Sequence, residues 1–146
     1  MAAAEKQSNE LYIGPAPSYL ARRILNARRK EVDKALTYTF GTHNFDDIVD
    51  AIEEHDMQLW NAIAGGVVVG VEVTEILCFP QKKVCNLFIT AGVKLNQWAA
   101  PMLEQIEHFA ANQGCSLVVG RGRTGWLRLA KKYGFADEFM SACKVI

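Results

Sequence analysis

Six residues near the carboxyl end of the chain, Gly120-Arg121-Gly122-Arg123-Thr124-Gly125, read G-x-G-x-x-G. In a dinucleotide site, such glycines let the backbone approach a pyrophosphate, which the N-terminus of the following helix binds. That fold also needs further strand–helix units and an acidic residue about 20 positions downstream. Only 21 residues follow Gly125, and Asp137 and Glu138 come too early. We therefore interpret the match as fortuitous for a dinucleotide site.

The two arginines of this motif leave a different phosphate chemistry open. Arg121 and Arg123 flank the glycines at the start of a predicted helix, where free N–H groups point outward. Anion binding at this point and a simple strand-to-helix turn with solvated arginines are both compatible with the residues.

Two carboxylates and three histidines are the remaining candidates for acid–base chemistry. Glu72 and Glu75 lie in one predicted strand at odd spacing, so they should face opposite sides of a sheet. One of them could be a general base whose pKa is raised by burial; the alternative is an exposed strand carboxylate. The histidines have no serine or cysteine partner at motif spacing, and we interpret them as structural or surface residues: His43, His55 and His108.

The four cysteines indicate neither a metal site nor a disulfide framework. They form no C-x-x-C pair and have no histidine at zinc-ligand spacing: Cys78, Cys85, Cys115 and Cys143. We expect free, buried thiols in a reducing compartment, and no bound metal.

Composition indicates a globular domain without a strong overall field. Of 146 residues, 50% are hydrophobic and 22% are charged, and the formal net charge is zero, which makes a nucleic-acid partner unlikely. No segment is apolar and long enough for a membrane span, and residues 1–10 lack the apolar core of a secretory signal. We expect these ten residues to be a disordered tail, residues 11–146 to form one domain, and the location to be cytoplasmic.

The first half of that domain reads as helical. The Pro-Ala-Pro-Ser segment from Pro15 starts a helix that apolar spacing extends to about Ala35. Asn44 is placed to cap a second helix, with Asp46 and Asp47 in its first turn.

The second half reads as a meander followed by a strand–helix–strand unit. "MQLWNAIA", "VVVGVEVTEILCFP" and "VCNLFITAG" are predicted antiparallel strands, the first two joined by Gly65-Gly66. A helix from about Gln97 to Asn112 should cross over to "CSLVVG", which we expect to lie parallel to "LFITAG". Trp126 then begins an apolar helical stripe and should be mostly buried, and "EFMSACKVI" could close the sheet.

This order of elements resembles the GNAT superfamily of acyl-CoA N-acyltransferases. The segments "GGVVVGVEVTEI", "LFITAG" and "LAKKYGF" are similar in order and spacing to GNAT-like proteins encoded by bacteriophages. So are Gly114-Cys115 before a strand, Arg123-Thr124-Gly125-Trp126 opening a helix, and Gly134-Phe135. The resemblance covers about Gln58 to the carboxyl terminus. It implies an α/β (α+β) fold: a mixed sheet with an antiparallel meander, a central crossover helix and a C-terminal strand–helix–strand.

The resemblance also implies a site for acetyl-CoA. The strand before the central helix splays from its neighbour, its exposed backbone binds the pantetheine arm, and the pyrophosphate lies at the helix N-terminus. A glutamate or water is the base, and a tyrosine protonates the leaving thiolate. The implied catalytic residues are Glu72, Glu75 and Tyr133. The implied cofactor-binding residues are Ile89, Thr90, Ala91, Gly92, Lys94, Asn96, Arg121 and Arg123.

Two positions depart from the family pattern and separate two hypotheses. The loop from Gly92 to Trp98 lacks the paired small residues of the family's pyrophosphate loop, and the tyrosine position falls on Ala130. One hypothesis is an acetyl-CoA-dependent N-acetyltransferase of phage type that acts on an amine. The alternative is a catalytically inactive GNAT-fold phage protein in the host cytoplasm or the virion, with a phage or host protein as its partner.

Overall fold

The computed structural model describes residues 10–122, 124–136 and 142–146. The described strands are β1 Leu11–Pro15, β2 Gln58–Ala64, β3 Val67–Cys78, β4 Lys83–Gly92 and β5 Cys115–Gly120. The α-helices are α1 Ala21–Ala27, α2 Arg29–Leu36, α3 Phe45–Glu53, α4 Leu95–Asn112 and α5 Thr124–Ala130. A 3-10 turn precedes α1 (Ser18–Leu20) and another follows α5 (Lys131–Tyr133). No helix in these ranges is long and apolar enough to cross a membrane.

All five strands join one mixed sheet in the order β1-β2-β3-β4-β5. The first four pair antiparallel, and β5 pairs parallel to β4. Because parallel neighbours need a crossover, α4 connects β4 to β5 across one face of the sheet. The predicted meander, crossover helix and parallel pair are therefore confirmed.

Each face of the sheet has its own hydrophobic core. On one face, α1, α2 and α3 pack their apolar residues against Val71 and Val73 of β3 and Ile89 and Ala91 of β4. On the other face, α4 buries Trp98, Met102 and Ile106 against residues of β2 and β4. The two cores leave the sheet between them as a rigid platform for side chains.

The amino-terminal elements differ from the prediction in two respects. Leu11–Pro15 forms an edge strand that the sequence did not indicate, since its glycine and proline are poor strand formers. The predicted first helix is divided at Arg28, whose φ of −122° and ψ of 35° leave the helical region. No glycine or proline marks this break. The Arg28 guanidinium donates to Glu31 in the first turn of α2.

The start of α3 follows the prediction closely. The Asn44 side chain accepts a hydrogen bond from the Asp47 backbone N–H at 2.8 Å, and Asp47 accepts from the Asn44 N–H at 2.9 Å. This reciprocal pair is a capping box, which satisfies two backbone donors at the helix N-terminus.

At the carboxyl end the structure describes only part of the predicted closing strand. Residues 142–146 form no strand, and residues 138–141 of that prediction lie outside the described ranges. Trp126 is half-buried, with its side chain packed against Gly120 and Gly122 and also bordering a cleft.

Candidate functional site

The strands β4 and β5 separate part of the way along β4. Their pairing ends at Leu87↔Gly120, although β4 continues to Gly92 and stays paired with β3. At this point β4 carries a bulge, since Val73 pairs with Ile89 and Thr74 with Leu87, which leaves Phe88 unmatched. A bulge bends its strand, and bulges are frequent beside active sites. The stretch from Phe88 to Gly92 and its missing β5 partner are called the β4–β5 gap below.

The prediction that "CSLVVG" lies parallel to "LFITAG" in one sheet is confirmed, but most of "LFITAG" extends beyond the paired stretch. Of that segment only Leu87 pairs with β5, and the parallel ladder instead uses the first half of β4, from Lys83 to Leu87. In an extended strand, alternate backbone N–H and C=O groups turn toward each side. Along the gap, those on the β5 side have no strand partner in the part of the chain that the structure describes, so they are available to a ligand.

The gap leads directly into the N-terminus of the long helix α4. Gly92 has a φ of 144°, and an added Cβ would lie 2.3 Å from the Val69 carbonyl oxygen, so only glycine fits there. Lys94 caps the helix in a left-handed conformation with a φ of 56°, without a side-chain cap hydrogen bond. No acidic residue lies in the first turn, and Lys94 and Asn96 are exposed. This end of the helix therefore carries positive electrostatic character.

Trp98 fixes that helix end against the sheet. Its indole Nε1 donates to the Val93 carbonyl oxygen at 2.8 Å, and the side chain is buried. An added Cβ on Gly70 would lie 2.2 Å from the Trp98 ring, so glycine at this position of β3 makes room for the indole.

The G-x-G-x-x-G motif serves the packing of Trp126. Added Cβ atoms on Gly120 and Gly122 would each come within 3.0 Å of the Trp126 side chain. These two glycines thus permit a close strand-to-helix turn, and α5 is only seven residues long. Arg121 is exposed after β5 and borders the cleft described next. The structure describes nothing of Arg123, so that prediction remains open.

A cleft of about 470 Å³ opens beside the gap, on the sheet face that carries α1, α2 and α3. Its volume lies within the usual range of small-molecule sites, about 300–1,000 Å³. One wall is formed by α2 and the turn after it, and the floor by β3 and β4. The cleft is lined by four aromatic residues, Tyr38, Phe40, Phe88 and Trp126. It is also lined by four charged residues, Glu31, Lys34, Glu75 and Arg121.

Glu75 is the carboxylate that the sheet presents to this cleft. It is half-buried, and its Oε1 accepts a hydrogen bond from Asn86 Nδ2 at 2.9 Å. Glu31 also borders the cleft, but its hydrogen bond from Arg28 lowers its pKa and occupies the carboxylate. Glu75 is therefore better placed than Glu31 to act on a ligand.

A second, smaller cavity lies on the other side of the sheet, between α4 and α5. Its volume is about 30 Å³, room for a water-sized group. Apolar side chains form most of its wall, including Trp98, Met102 and Leu129, and Glu72 is the one carboxylate that the described residues contribute. Leu87, Thr90 and Trp126 border both this cavity and the cleft. These three residues therefore form the partition between the two spaces at the β4–β5 gap.

Glu72 is buried in the wall of this small cavity. Only 3% of the residue is exposed. Its Oε2 accepts a hydrogen bond from Thr90 Oγ1 at 2.7 Å, whereas its Oε1 has no hydrogen-bond partner among the described residues. Burial raises the pKa of Glu72 well above its ordinary value, and the Thr90 hydroxyl opposes this only in part. The carboxyl group therefore holds its proton more strongly than an exposed glutamate does.

The remaining predicted site residues fall into three groups. Tyr133 borders the small cavity with Glu72, whereas Ala130, at the family's tyrosine position, is buried and offers no hydroxyl. Ile89 and Ala91 bury their side chains in the core beneath α1 to α3, so only their backbone can reach a ligand. Thr90 and Gly92 lie at the gap itself.

Sequence analysis missed three residues that shape the site: Asn86, Phe88 and Trp126. Asn86 orients Glu75, Phe88 marks the bulge, and Trp126 forms part of the partition. Only Trp126 had a signal in the sequence, since two glycines at short spacing precede a bulky aromatic residue.

The cysteines contribute little to the site. All four are free; Cys85 is buried, but Cys78 and Cys143 are exposed, which corrects the expectation of uniformly buried thiols. Burial, and to a lesser extent the neighbouring Cys115 and Glu72, raises the pKa of Cys85 to about 12. Within the described ranges, no group of three or more histidine, cysteine or acidic side chains could hold a metal ion.

Comparison with known proteins gives matches in structure only. No family model matches the chain. No curated protein matches it either. Solved structures of acetyltransferases do match, with sequence identities well below the level at which function can be carried over.

Three of these structures illustrate the match. An aminoglycoside acetyltransferase from an uncultured soil metagenomic sample, in complex with trehalose, has a TM-score of 0.72 at 10% identity, covering 93% of this chain and 95% of its own. A "predicted acetyltransferase with acetyl-CoA" from Clostridium acetobutylicum has a TM-score of 0.65 at 14% identity, and the match covers 92% of this chain and 96% of that one. A GNAT family acetyltransferase of Staphylococcus aureus has a TM-score of 0.65 at 12% identity, and the match covers 93% of this chain and 98% of that one. The chain therefore has the fold of the GNAT-family acetyltransferases.

Proposed function

We propose that this protein is an acetyl-CoA-dependent N-acetyltransferase that acts on an amine bound in the cleft. The observation that carries the proposal is the β4–β5 gap, where an unpaired strand edge leads into an acid-free helix N-terminus beside a cleft. A structure made only for packing has no need to leave this backbone unpaired next to a cleft.

The residues at the gap fit a CoA-type ligand in three ways. The free backbone groups from Phe88 to Gly92 can pair with the amides of a pantetheine arm, as a strand would. The N-terminus of α4, with exposed Lys94, suits a pyrophosphate. The unpartnered, buried Oε1 of Glu72 marks a polar position that awaits a partner close to the same gap.

The bulkier loop does not abolish this fit. Gly92 already gives the backbone the conformation that turns it toward α4. Val93 is 37% exposed and Lys94 is exposed, so both side chains extend toward solvent and leave the backbone accessible. Arg121 borders the same cleft as Gly92, as does Lys34, so these two described cations can approach the diphosphate in addition to Lys94.

Acetyl-CoA supplies a thioester whose carbonyl carbon is open to attack by an amine. The chain's own residues then orient the amine and manage its proton. Glu75, held by Asn86 in the cleft, is placed to accept the proton that the attacking nitrogen loses, directly or through one water. Tyr38, Phe40 and Phe88 give the cleft an aromatic wall against which the rest of the acceptor packs.

A turnover assay tests this proposal. Wild-type protein with acetyl-CoA and a panel of amines, including the aminoglycoside sisomicin, glucosamine 6-phosphate and spermidine, should release CoA thiol and yield an acetylated amine detectable by mass spectrometry. Glu75→Gln should lower kcat by about 10²–10⁴-fold, the usual contribution of a general base. Glu54→Gln, on the exposed end of α3, is the matched control and should leave turnover unchanged.

The inactive alternative predicts a different outcome. It rests on the loop composition, and the phage-type assignment rests on the sequence resemblance alone. If no acetylated product forms and acetyl-CoA produces no thermal shift, the chain is better explained as a GNAT-fold protein that binds a phage or host protein.

A further inference from the structure

We propose that Glu72 is the acid that protonates the sulfur when the thioester breaks, a role that rests on the proposed function. The geometry that points to it is the small cavity behind the gap. Among the described residues, Glu72 is the one carboxyl in its wall, and Leu87, Thr90 and Trp126 are the residues that border both the cavity and the cleft. A sulfur seated at this partition has the Glu72 carboxyl as its nearest buried acid.

The hydrogen bonds of Glu72 determine which oxygen carries the proton. Oε2 accepts from Thr90 Oγ1 at 2.7 Å, so the proton of the neutral carboxyl resides on Oε1. Oε1 is buried and has no acceptor among the described residues. A buried donor without a partner is costly, so a ligand atom that accepts its proton is favoured there.

The surroundings keep this carboxyl protonated until an acceptor arrives. Met102, Leu129 and Trp98 line the cavity, and no lysine or arginine borders it among the described residues. Burial in these apolar walls disfavours the charged form of Glu72 and raises its pKa. A thiolate, whose conjugate thiol has a pKa of about 8.5, needs such a donor to leave efficiently near neutral pH.

The step balances in atoms and charge. The amine nitrogen forms a bond to the acetyl carbon, the carbon–sulfur bond breaks, and its electron pair stays on sulfur. Sulfur takes the Oε1 proton of Glu72, while the nitrogen gives one proton to Glu75 or water in the cleft. After CoA leaves, the Glu72 carboxylate regains a proton at Oε1 from water that enters from the solvent-open cleft past Thr90, which borders both the cavity and the cleft.

Tyr133 is the competing donor, since it borders the same cavity. It lies in the 3-10 turn after α5 and is half-buried, whereas Glu72 is almost fully enclosed. The enclosed group interacts more strongly with a developing negative charge because water does not screen it. We therefore assign the proton to Glu72 and use Tyr133 as a comparison.

A binding experiment tests this assignment without any acceptor amine. Calorimetry at about pH 8.5, near the usual thiol pKa, compares CoA with desulfo-CoA, which lacks the sulfur. Wild-type protein should prefer CoA by about tenfold or more, the effect of one hydrogen bond to a charged atom. Glu72→Leu should bind both ligands equally. Tyr133→Phe should keep the preference, as should Glu104→Leu on the exposed face of α4.

Each outcome bears on a definite claim. Equal binding of CoA and desulfo-CoA by wild-type protein, or a preference that survives in Glu72→Leu, overturns the assignment while leaving the proposed function intact. Loss of the preference in Tyr133→Phe alone makes Tyr133 the donor. If folded wild-type protein binds neither ligand, the proposed function fails, and the role of Glu72 fails with it.

Discussion

Glu72 and Glu75 show how one strand places two like residues in opposite environments. Strand alternation in the sequence predicted that they face opposite sides of the sheet, and the structure confirms this. The sequence could not show which is buried, because that depends on how α4 and α5 close over one face while the other remains a cleft. Glu72 is 3% exposed, and Glu75 borders open solvent.

The burial of Glu72 makes stability depend on pH. Its folded pKa lies well above the ordinary 4.5, so the native state binds more protons than the unfolded chain above pH 4.5. Wild-type stability should therefore fall as pH rises through this window, by up to about 1.4 kcal/mol per pH unit. Glu72→Gln should lack this pH dependence. Chemical denaturation from pH 5 to pH 8 should therefore show that the free energy of unfolding of the wild type falls relative to that of Glu72→Gln as pH rises.

The neighbours of Glu72 set the controls for that measurement. Cys85 on β4 and Tyr133 after α5 are the titratable groups that face it, so Cys85→Ala and Tyr133→Phe should retain the wild-type slope between pH 5 and pH 8. Parallel pH profiles for wild-type protein and Glu72→Gln would mean that the carboxyl is not protonated in the folded protein.

Gly92 is the residue whose replacement should most directly damage the gap. An alanine there combines a φ of 144° with a Cβ only 2.3 Å from the Val69 carbonyl oxygen. Gly66→Ala is the control, because its φ is 77° but nothing lies within 4 Å of the added carbon. We expect Gly66→Ala to cost about 1–2 kcal/mol and Gly92→Ala clearly more, as measured by denaturant unfolding. Equal losses of unfolding free energy in the two variants would show that the backbone of β3 and β4 shifts to accommodate the added Cβ at position 92.

Among the elements, the two bulges explain what strand periodicity could not predict. Ala62 pairs with Gly70 but Ile63 pairs with Val68, so Val69 is an extra residue and faces α4 instead of joining Val71 and Val73. Phe88 is the corresponding extra residue in β4. Strict alternation would place Val69 on the same face as Val71, and the bulge reverses its direction. The sequence does not indicate either bulge, because the extra residues, Val69 and Phe88, are ordinary strand residues.

Helix ends were predictable where a side chain makes the cap. Asn44 caps α3 as predicted, and its reciprocal hydrogen bonds with Asp47 complete a capping box. The break at Arg28 and the edge strand Leu11–Pro15 were not predicted, and the edge strand depends on tertiary contacts rather than on local propensity. Gln105 Nε2, for example, donates to the Ile13 carbonyl oxygen at 2.7 Å and ties β1 to α4.

The N-terminus of α4 gives a prediction about the ligand's charge. Lys94→Ala should weaken acetyl-CoA binding by about tenfold, equivalent to about 1.4 kcal/mol, whereas Lys94→Arg keeps the charge and should bind nearly as wild type. The melting temperature without ligand should not fall in either variant. Calorimetric titration with acetyl-CoA compares the affinities of the two variants. Unchanged affinity in Lys94→Ala would place the diphosphate elsewhere.

Trp126 connects the turn after β5 to the partition. Its ring lies edge-on to Phe135, with centroids 6.3 Å apart, and packs against Gly120 and Gly122. Because it is only half-buried, Trp126→Ala should cost less than the 3–5 kcal/mol of a fully buried aromatic residue, about 2 kcal/mol. Equilibrium unfolding tests this, with Tyr19→Ala, 79% exposed, as a control that should be nearly neutral. A Trp126→Ala variant as stable as Tyr19→Ala would contradict the packing described.

At the scale of the whole molecule, the order of elements was more informative than any motif. The predicted order of three meander strands, a crossover helix and a parallel strand matches β2 to β5, because connection rules leave few alternatives, whereas β1 was not predicted. The G-x-G-x-x-G motif, read alone, pointed to a dinucleotide; in the structure Gly120 and Gly122 make room for Trp126. The site was less predictable, since the gap and its two cavities depend on a bulge and on packing across the sheet.

Fold alone does not establish an activity, so the most direct measurement is calorimetric titration of the wild-type protein with acetyl-CoA. The β4–β5 gap and the N-terminus of α4 predict saturable binding at one site per chain, weakened in Lys94→Ala. Absence of both heat and thermal shift at millimolar acetyl-CoA, with protein shown to be folded, would contradict the acetyltransferase assignment.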